Sequence, residues 1–105
     1  MRKTEPKSIF GTRLREARLR ADIPQDKLGV LIGLDETTAS ARISRYETGV
    51  HEPPFDTASL LAGALRVPTA YFYCEDADLA NVVLAWDKAD DDVKERITSL
   101  LNKPR

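Results

Sequence analysis

The sequence has only one cysteine, Cys74, and one histidine, His51. A single cysteine excludes an internal disulfide, and there is no Cys-x-x-Cys pair or Cys/His cluster of the kind that holds structural zinc. No group of residues supplies a nucleophile, a base and oxyanion donors together, and no glycine-rich phosphate-binding loop occurs. We therefore expect a protein that is not an enzyme and that needs no cofactor and no metal.

Long hydrophobic runs are also missing. No segment approaches the ~20 consecutive apolar residues of a membrane span, and no apolar run follows the basic residues at the N-terminus as it would in a secretory signal. Hydrophobic residues make up 42% and charged residues 31% of the 105 residues, which is typical of a globular domain. These features predict a cytoplasmic protein with no membrane partner.

The chain lacks an overall excess of positive charge, since its net charge is −1. The charge is unevenly distributed, however. Residues 1–50 hold ten Lys/Arg against seven Asp/Glu, a net +3, and residues 51–105 hold six against ten, a net −4. Because affinity for phosphate depends on the local potential, the first half remains able to meet a nucleic acid.

Strand-like alternation is absent, and short helical patterns followed by breaks recur instead. Ser8 is the predicted N-cap of a first helix, and a second helix follows Pro24 and ends at Gly33. Asp35 is the predicted cap of a third helix, over about residues 36–47, which Gly49 stops. Asp56 is predicted to cap a fourth helix, and Pro68 to open a short fifth one.

Two more helices are predicted after the acidic break at residues 75–78, over about 79–86 and then over 91–101 behind the cap Asp90. Each carries one apolar stripe, formed by Leu79, Val82, Val83 and Trp86 in the first and by Val93, Ile97, Leu100 and Leu101 in the second. The predicted fold class is all-α. It has a flexible basic N-terminus (1–7), a five-helix domain (8–74) and a C-terminal helical hairpin (within 75–105) that is a candidate dimerisation element.

The second and third predicted helices contain the residues that point to a binding function. Gly29 lies in the middle of the second helix, where glycine costs up to ~1 kcal/mol, so we expect the third helix to pass close to it. Ile43 and Tyr46 form the apolar side of the third helix. Its opposite side is small or cationic, with Thr38, Ser40, Ala41, Arg42, Ser44 and Arg45. Such a face suits a helix in the major groove of DNA, which is ~12 Å wide.

The segment Gln25 to Leu34, followed by Ile43 to Gly49, resembles the Cro/lambda-repressor type of helix-turn-helix family, also called the XRE family. The similarity extends over about residues 8–73. It implies a five-helix, lambda-repressor-like DNA-binding domain and a transcription regulator that binds double-stranded DNA as a homodimer. Because antitoxins also occur in this family, an interaction module with a toxin partner is the alternative that the resemblance leaves open.

The resemblance also implies roles for single residues. Gln25 matches a glutamine that contacts a phosphate, and Arg18 matches an arginine that pairs with a glutamate at the end of the third helix, here Glu47, as a structural tether. The remaining matches are with positions that contact bases or the DNA backbone, namely Ser40, Ala41, Ser44, Arg45 and Thr48.

One feature departs from the family pattern. Fourteen positions separate Gly33 from Glu47, where the family usually has ten. Four residues make about one helical turn, so either the third helix begins a turn early, near Glu36, or the turn before it is longer. An early start would bring Thr37 and Thr38 towards DNA, and we include both as candidate DNA contacts.

Overall fold

The computed structural model describes residues 8–104, which form helices and short connections and contain no strand. The elements are α1 (Ile9–Arg20), α2 (Gln25–Leu31), α3 (Ala39–Thr48), α4 (Phe55–Leu65), a 3-10 helix (Thr69–Tyr73), α5 (Ala77–Lys88) and α6 (Asp91–Leu101). The all-α expectation is confirmed, with five short helices and two more at the C-terminus. The N-terminus predicted to be flexible, residues 1–7, lies outside the described residues.

Several helix ends form where local chemistry predicts them. The Ser8 side chain accepts a hydrogen bond from the Gly11 N–H at 2.9 Å, and the Asp90 carboxylate accepts one from Val93 N–H at 2.9 Å. Gly33 ends the second helical segment with a φ of +97°. Asp56 is an exception, because the helix begins one residue earlier, at Phe55, and Pro54 takes the cap position. Asp56 instead lies in the first turn, where its charge suits the helix dipole.

The predicted start of the third helix near residue 36 is wrong. α3 begins at Ala39, and Glu36, Thr37 and Thr38 form a turn. Asp35 stabilises this turn rather than capping the helix, because its carboxylate accepts hydrogen bonds from the backbone N–H and the hydroxyl of Thr37, both at 3.0 Å. The four extra residues therefore lengthen the connection between α2 and α3 and leave α3 at ten residues.

Each of the first five elements contributes at least one large, fully buried side chain to the core. These include Leu14, Leu28, Ile43, Leu61 and Phe72. Each of these elements buries an apolar stripe in one shared core. The apolar contacts that hold α1 and α4 together therefore also hold α2 and α3 where they cross.

The two C-terminal helices differ in how they contact this core. α5 adds the buried Ala80, and its half-buried Val83 and Leu84 pack against the core. α6 has no buried residue, and the Lys94 ammonium lies 5.7 Å from the centroid of the Trp86 ring on α5. Across residues 8–104, no helix is both long enough and apolar enough to cross a lipid bilayer.

Candidate nucleic-acid interface

The crossing of α2 and α3 requires a glycine at position 29. A Cβ placed on Gly29 would lie 2.5 Å from the Cβ of Ala39 and 2.9 Å from its Cα. Gly29 is buried in α2, and Ala39 is buried as the first residue of α3. The close approach expected from this mid-helix glycine is confirmed, and the contact sets the distance between the two helices.

A second close approach, which sequence reasoning missed, joins α1 to the C-terminal end of α3. A Cβ on Gly11 would collide with the backbone carbonyl oxygen of Glu47 and lie 2.9 Å from that of Tyr46. Gly11 is buried in the first turn of α1, and a glycine inside an otherwise apolar helical stripe is the signal that could have revealed it. Gly29 and Gly11 thus hold α3 at its two ends.

A buried ion pair supports the same end of α3. The Arg18 Nε donates to Glu47 Oε2 at 2.5 Å and its Nη2 donates to Oε1 at 3.2 Å. The third nitrogen, Nη1, donates to the carbonyl oxygen of Ile23 at 3.1 Å. The side chains of Arg18 and Glu47 are only 12% and 4% exposed, so the pair joins α1, the α1–α2 connection and α3 in one network.

Gln25 extends this network towards the outer surface. Its Nε2 donates to Glu47 Oε1 at 3.1 Å, and its Oε1 accepts a hydrogen bond from the Ser40 hydroxyl at 3.3 Å. The first residue of α2 is therefore linked to both the second residue of α3 and its buried glutamate. The structure brings Arg18, Gln25, Ser40 and Glu47, all candidates from the sequence, into one continuous set of contacts.

The outward side of α3 carries small and cationic side chains. Ser40, Ala41, Arg42 and Arg45 are exposed, and Ser44 is half-buried. The single carboxylate of α3, that of Glu47, points inward and is paired with Arg18. Because this negative charge is neutralised inside, the outer surface of the helix presents two arginines with no carboxylate of its own.

The three candidate threonines have their hydroxyl groups in local contacts. Thr48 Oγ1 donates to the Ser44 carbonyl at 3.0 Å, and the Thr38 hydroxyl donates to the Asp35 carbonyl at 3.3 Å. The hydrogen bonds from the backbone and hydroxyl of Thr37 hold the pKa of Asp35 below its usual value. Thr37 and Thr38 therefore belong to the turn before α3 and not to its outer face.

Arg13 is a structural residue that sequence reasoning did not single out. Its Nε donates to the Cys74 carbonyl at 2.8 Å and its Nη2 to the Glu75 carbonyl at 3.1 Å. Nη1 pairs with Glu16 at 3.0 Å. A buried arginine with these partners attaches the end of the 3-10 helix to α1. Position 13 lies on the same helical face as the buried residues Phe10 and Ala17, and an arginine on that face could have predicted a buried, hydrogen-bonded side chain.

Comparisons with known proteins agree with this geometry. A family model described as helix-turn-helix matches residues 14–72. The crystal structure of the transcriptional regulator BswR is similar over 87% of this chain and 90% of that chain, with 42% sequence identity and a TM-score of 0.82. No curated protein sequence matches the chain.

Proposed function

Because the chain belongs to the XRE-type helix-turn-helix family and is a DNA-binding transcription regulator, we propose that it recognises a specific double-stranded site as a homodimer, with α3 in the major groove. In this proposal residues 8–74 are the DNA-binding domain and residues 75–105 are the dimerisation element. The family match supports the first part of the proposal, and the exposed apolar residues of α5 and α6 support the second.

The observation that carries the proposal is the outer surface of α3. A helix with side chains is 10–12 Å wide and fills a groove ~12 Å wide only where its outer side chains are small. Ser40 and Ala41 provide small side chains near the N-terminal end of α3, and Arg42 and Arg45 flank them. Arginine can bind guanine edges bidentately or pair with phosphate.

The other candidate contacts have supporting roles in this proposal. Gln25 and Ser44 contact phosphates beside the groove, and Thr48 contacts the DNA backbone from the last position of α3. Thr37 and Thr38 lie in the lengthened turn, where they approach the DNA backbone rather than base edges. Arg18 and Glu47 keep α1 fixed to α3 and so act through position rather than through direct contact.

The first prediction concerns Arg45. We expect Arg45→Ala to weaken binding to the preferred sequence, found by selection from random double-stranded DNA, by about 10- to 100-fold, the value of one bidentate base contact. Fluorescence anisotropy at fixed salt concentration measures the affinity. Arg42→Ala is expected to have a smaller effect and to make the dependence of the affinity on salt shallower, as the loss of a phosphate contact does.

Arg15→Ala is the matched control, because Arg15 is exposed on α1, outside both α3 and the proposed dimerisation element. It should leave the DNA affinity unchanged. An Arg45→Ala protein that keeps wild-type affinity and sequence preference would contradict the placement of α3 in the groove.

The exposed apolar side chains of the C-terminal helices support dimerisation through this region. Leu79 and Val82 on α5 and Leu100 and Leu101 on α6 are each more than half exposed. Two DNA-binding domains ~34 Å apart are needed for a palindromic site, since one domain contacts only a few base pairs. Burying these side chains against a second copy supplies the hydrophobic contact area that such a pair requires.

The second prediction tests this surface. We expect Val82→Glu to convert a dimer into a monomer at micromolar concentration, measured by sedimentation velocity, because a carboxylate cannot be buried without a partner. Leu19→Glu is the control, since Leu19 is as exposed as Val82 but lies on α1. A Val82→Glu protein that remains dimeric would exclude this part of α5 from the interface. Purification in a stoichiometric complex with a second protein would favour the toxin-binding alternative instead.

A further inference from the structure

We propose that a small cavity between α1, the end of α4 and α5 binds a small organic carboxylate. The cavity measures about 210 Å³. Its apolar lining comes from Ala17, Ala21, Leu65, Val67 and Leu84, and its polar lining from Arg20, Arg66 and Lys88. This proposal goes beyond DNA binding and does not depend on it, because no residue of α2 or α3 lines the cavity.

The charges around the cavity indicate the sign of the ligand's charge. Three cationic side chains, from three different elements, line it, and no carboxylate does. None of the ion pairs among residues 8–104 involves Arg20, Arg66 or Lys88. Since all three are cationic, an anion placed in the cavity is attracted by each of them, and the Arg20 guanidinium also lies 5.9 Å from the centroid of the Tyr71 ring.

The conformation of Arg66 is a second, independent observation. Arg66 terminates α4 with φ +59° and ψ +45°, in the left-handed region. Glycine is the usual residue at such a helix end, because a side chain with a Cβ is strained there. The arginine at this position puts a cationic side chain beside the cavity at a cost in local strain, which the Val67 N–H offsets by donating to the Ala62 carbonyl at 3.0 Å. Residues with strain of this kind concentrate at functional sites.

The size and lining of the cavity determine the class of ligand. A volume of about 210 Å³ accepts a molecule of the size of an aromatic or short aliphatic acid rather than a nucleotide or a drug-sized ligand. The apolar alanine, leucine and valine side chains suit a hydrocarbon body, and the arginines suit a carboxylate head. A ligand bound there contacts α1 and α4 on one side and α5 on the other, and so strengthens the attachment of α5 to the DNA-binding domain.

In the test, the 105-residue chain is titrated with benzoate in the absence of DNA. Backbone amide resonances of Ala21, Val67 and Leu84 are expected to shift and saturate with a dissociation constant on the order of 1 mM or below, within the range for a ligand of this size. Benzamide, which has the same shape without the charge, should bind much more weakly. Inorganic phosphate, which has charge without the apolar body, should also bind weakly.

Arg66→Gly is the decisive variant, because glycine accepts the left-handed conformation and the fold should be kept or stabilised. We expect its melting temperature to equal or exceed that of the wild type while its affinity for benzoate falls about fivefold, the equivalent of ~1 kcal/mol for an exposed ion pair. Lys88→Gln provides a second variant with the same expected loss. Arg15→Gln is the control, as Arg15 is exposed on α1 and does not line the cavity.

Three results would overturn the proposal. The first is the absence of saturable shifts at these amides, and the second is equal affinity for benzoate and benzamide. The third is phosphate binding as tight as benzoate binding, which would point to the phosphates of a nucleic acid as the ligand. DNA affinity measured on the same Arg66→Gly protein separates this proposal from the proposed function, because DNA binding is expected to remain intact when benzoate binding is lost.

Discussion

Arg18→Met is expected to lower the free energy of unfolding by about 3 kcal/mol, because removal of one partner leaves a charge buried without its counter-ion. The Glu47 side chain is 4% exposed, and of its side-chain hydrogen bonds within residues 8–104 it would retain the one from Gln25. Methionine keeps the aliphatic part of the arginine side chain, so the loss reports the charge rather than the packing. Urea denaturation followed by circular dichroism measures the change.

A double variant separates the ion pair from other effects at this site. We expect Arg18→Met combined with Glu47→Leu to be more stable than Arg18→Met alone, since replacing both charges by apolar groups removes the desolvation penalty. The double variant should nevertheless bind DNA less well than the wild type, because the position of α3 would no longer be set by the paired charges. Equal stability of the single and double variants would show that other groups stabilise the Glu47 charge when Arg18 is absent.

Gly11→Ala is expected to destabilise the fold by about 2 kcal/mol or more, which is large for the addition of one methyl group. The added Cβ would collide with the Glu47 backbone carbonyl, and a backbone atom inside a helix has little freedom to move away. Relief of the collision requires α1 to shift relative to α3, so DNA affinity should fall together with the melting temperature. Thermal unfolding and anisotropy on the same protein measure both effects.

Gly63→Ala is the matched control, because it is the same substitution in another helix. Gly63 is exposed in α4, and no atom lies within 4 Å of a Cβ built on it. Alanine should therefore stabilise the protein by up to about 1 kcal/mol, from helix propensity alone. If both substitutions had effects of the same sign, close contact with Glu47 would not be the cause of the loss at Gly11.

Much of the fold could be predicted because the relevant interactions are local. Ser8 and Asp90 cap helices through N–H groups three residues away, and Gly33 adopts the positive φ that marks the end of a helix. Such signals need no knowledge of the rest of the chain. The apolar stripes predicted a core residue from each of the first helices, and Leu14 and Ile43 are fully buried.

The start of α3 illustrates where local reasoning ends. Asp35 is a good N-cap by residue type, but its carboxylate can equally accept hydrogen bonds from the two groups of Thr37 in a turn. Both arrangements satisfy the same side chain, so propensity does not separate them. Ala39 decides between them, because its contact with Gly29 fixes where α3 crosses α2 and leaves the four extra residues in the connection.

The candidate site also contains features that the sequence predicts and features that it does not. The cationic and small residues of α3 follow from their spacing, because exposed and buried positions alternate with the period of the helix. The sequence did not show that Gln25 bridges Ser40 and Glu47, or that Arg13 attaches the 3-10 helix to α1. These contacts join residues 15 to 61 positions apart, and no local pattern encodes such pairs.

The family followed from the resemblance of the segments Gln25 to Leu34 and Ile43 to Gly49 to a known motif. The order of the helices and the residues available on α3 followed from caps, breakers and apolar periodicity, which act over a few residues. The length of the turn before α3, the burial of the Glu47 charge and the cavity lined by Arg66 are instead properties of the packed fold. Each of these depends on the distance between helices, and that distance is set by close contacts at Gly29 and Gly11 together with the packing of the shared core.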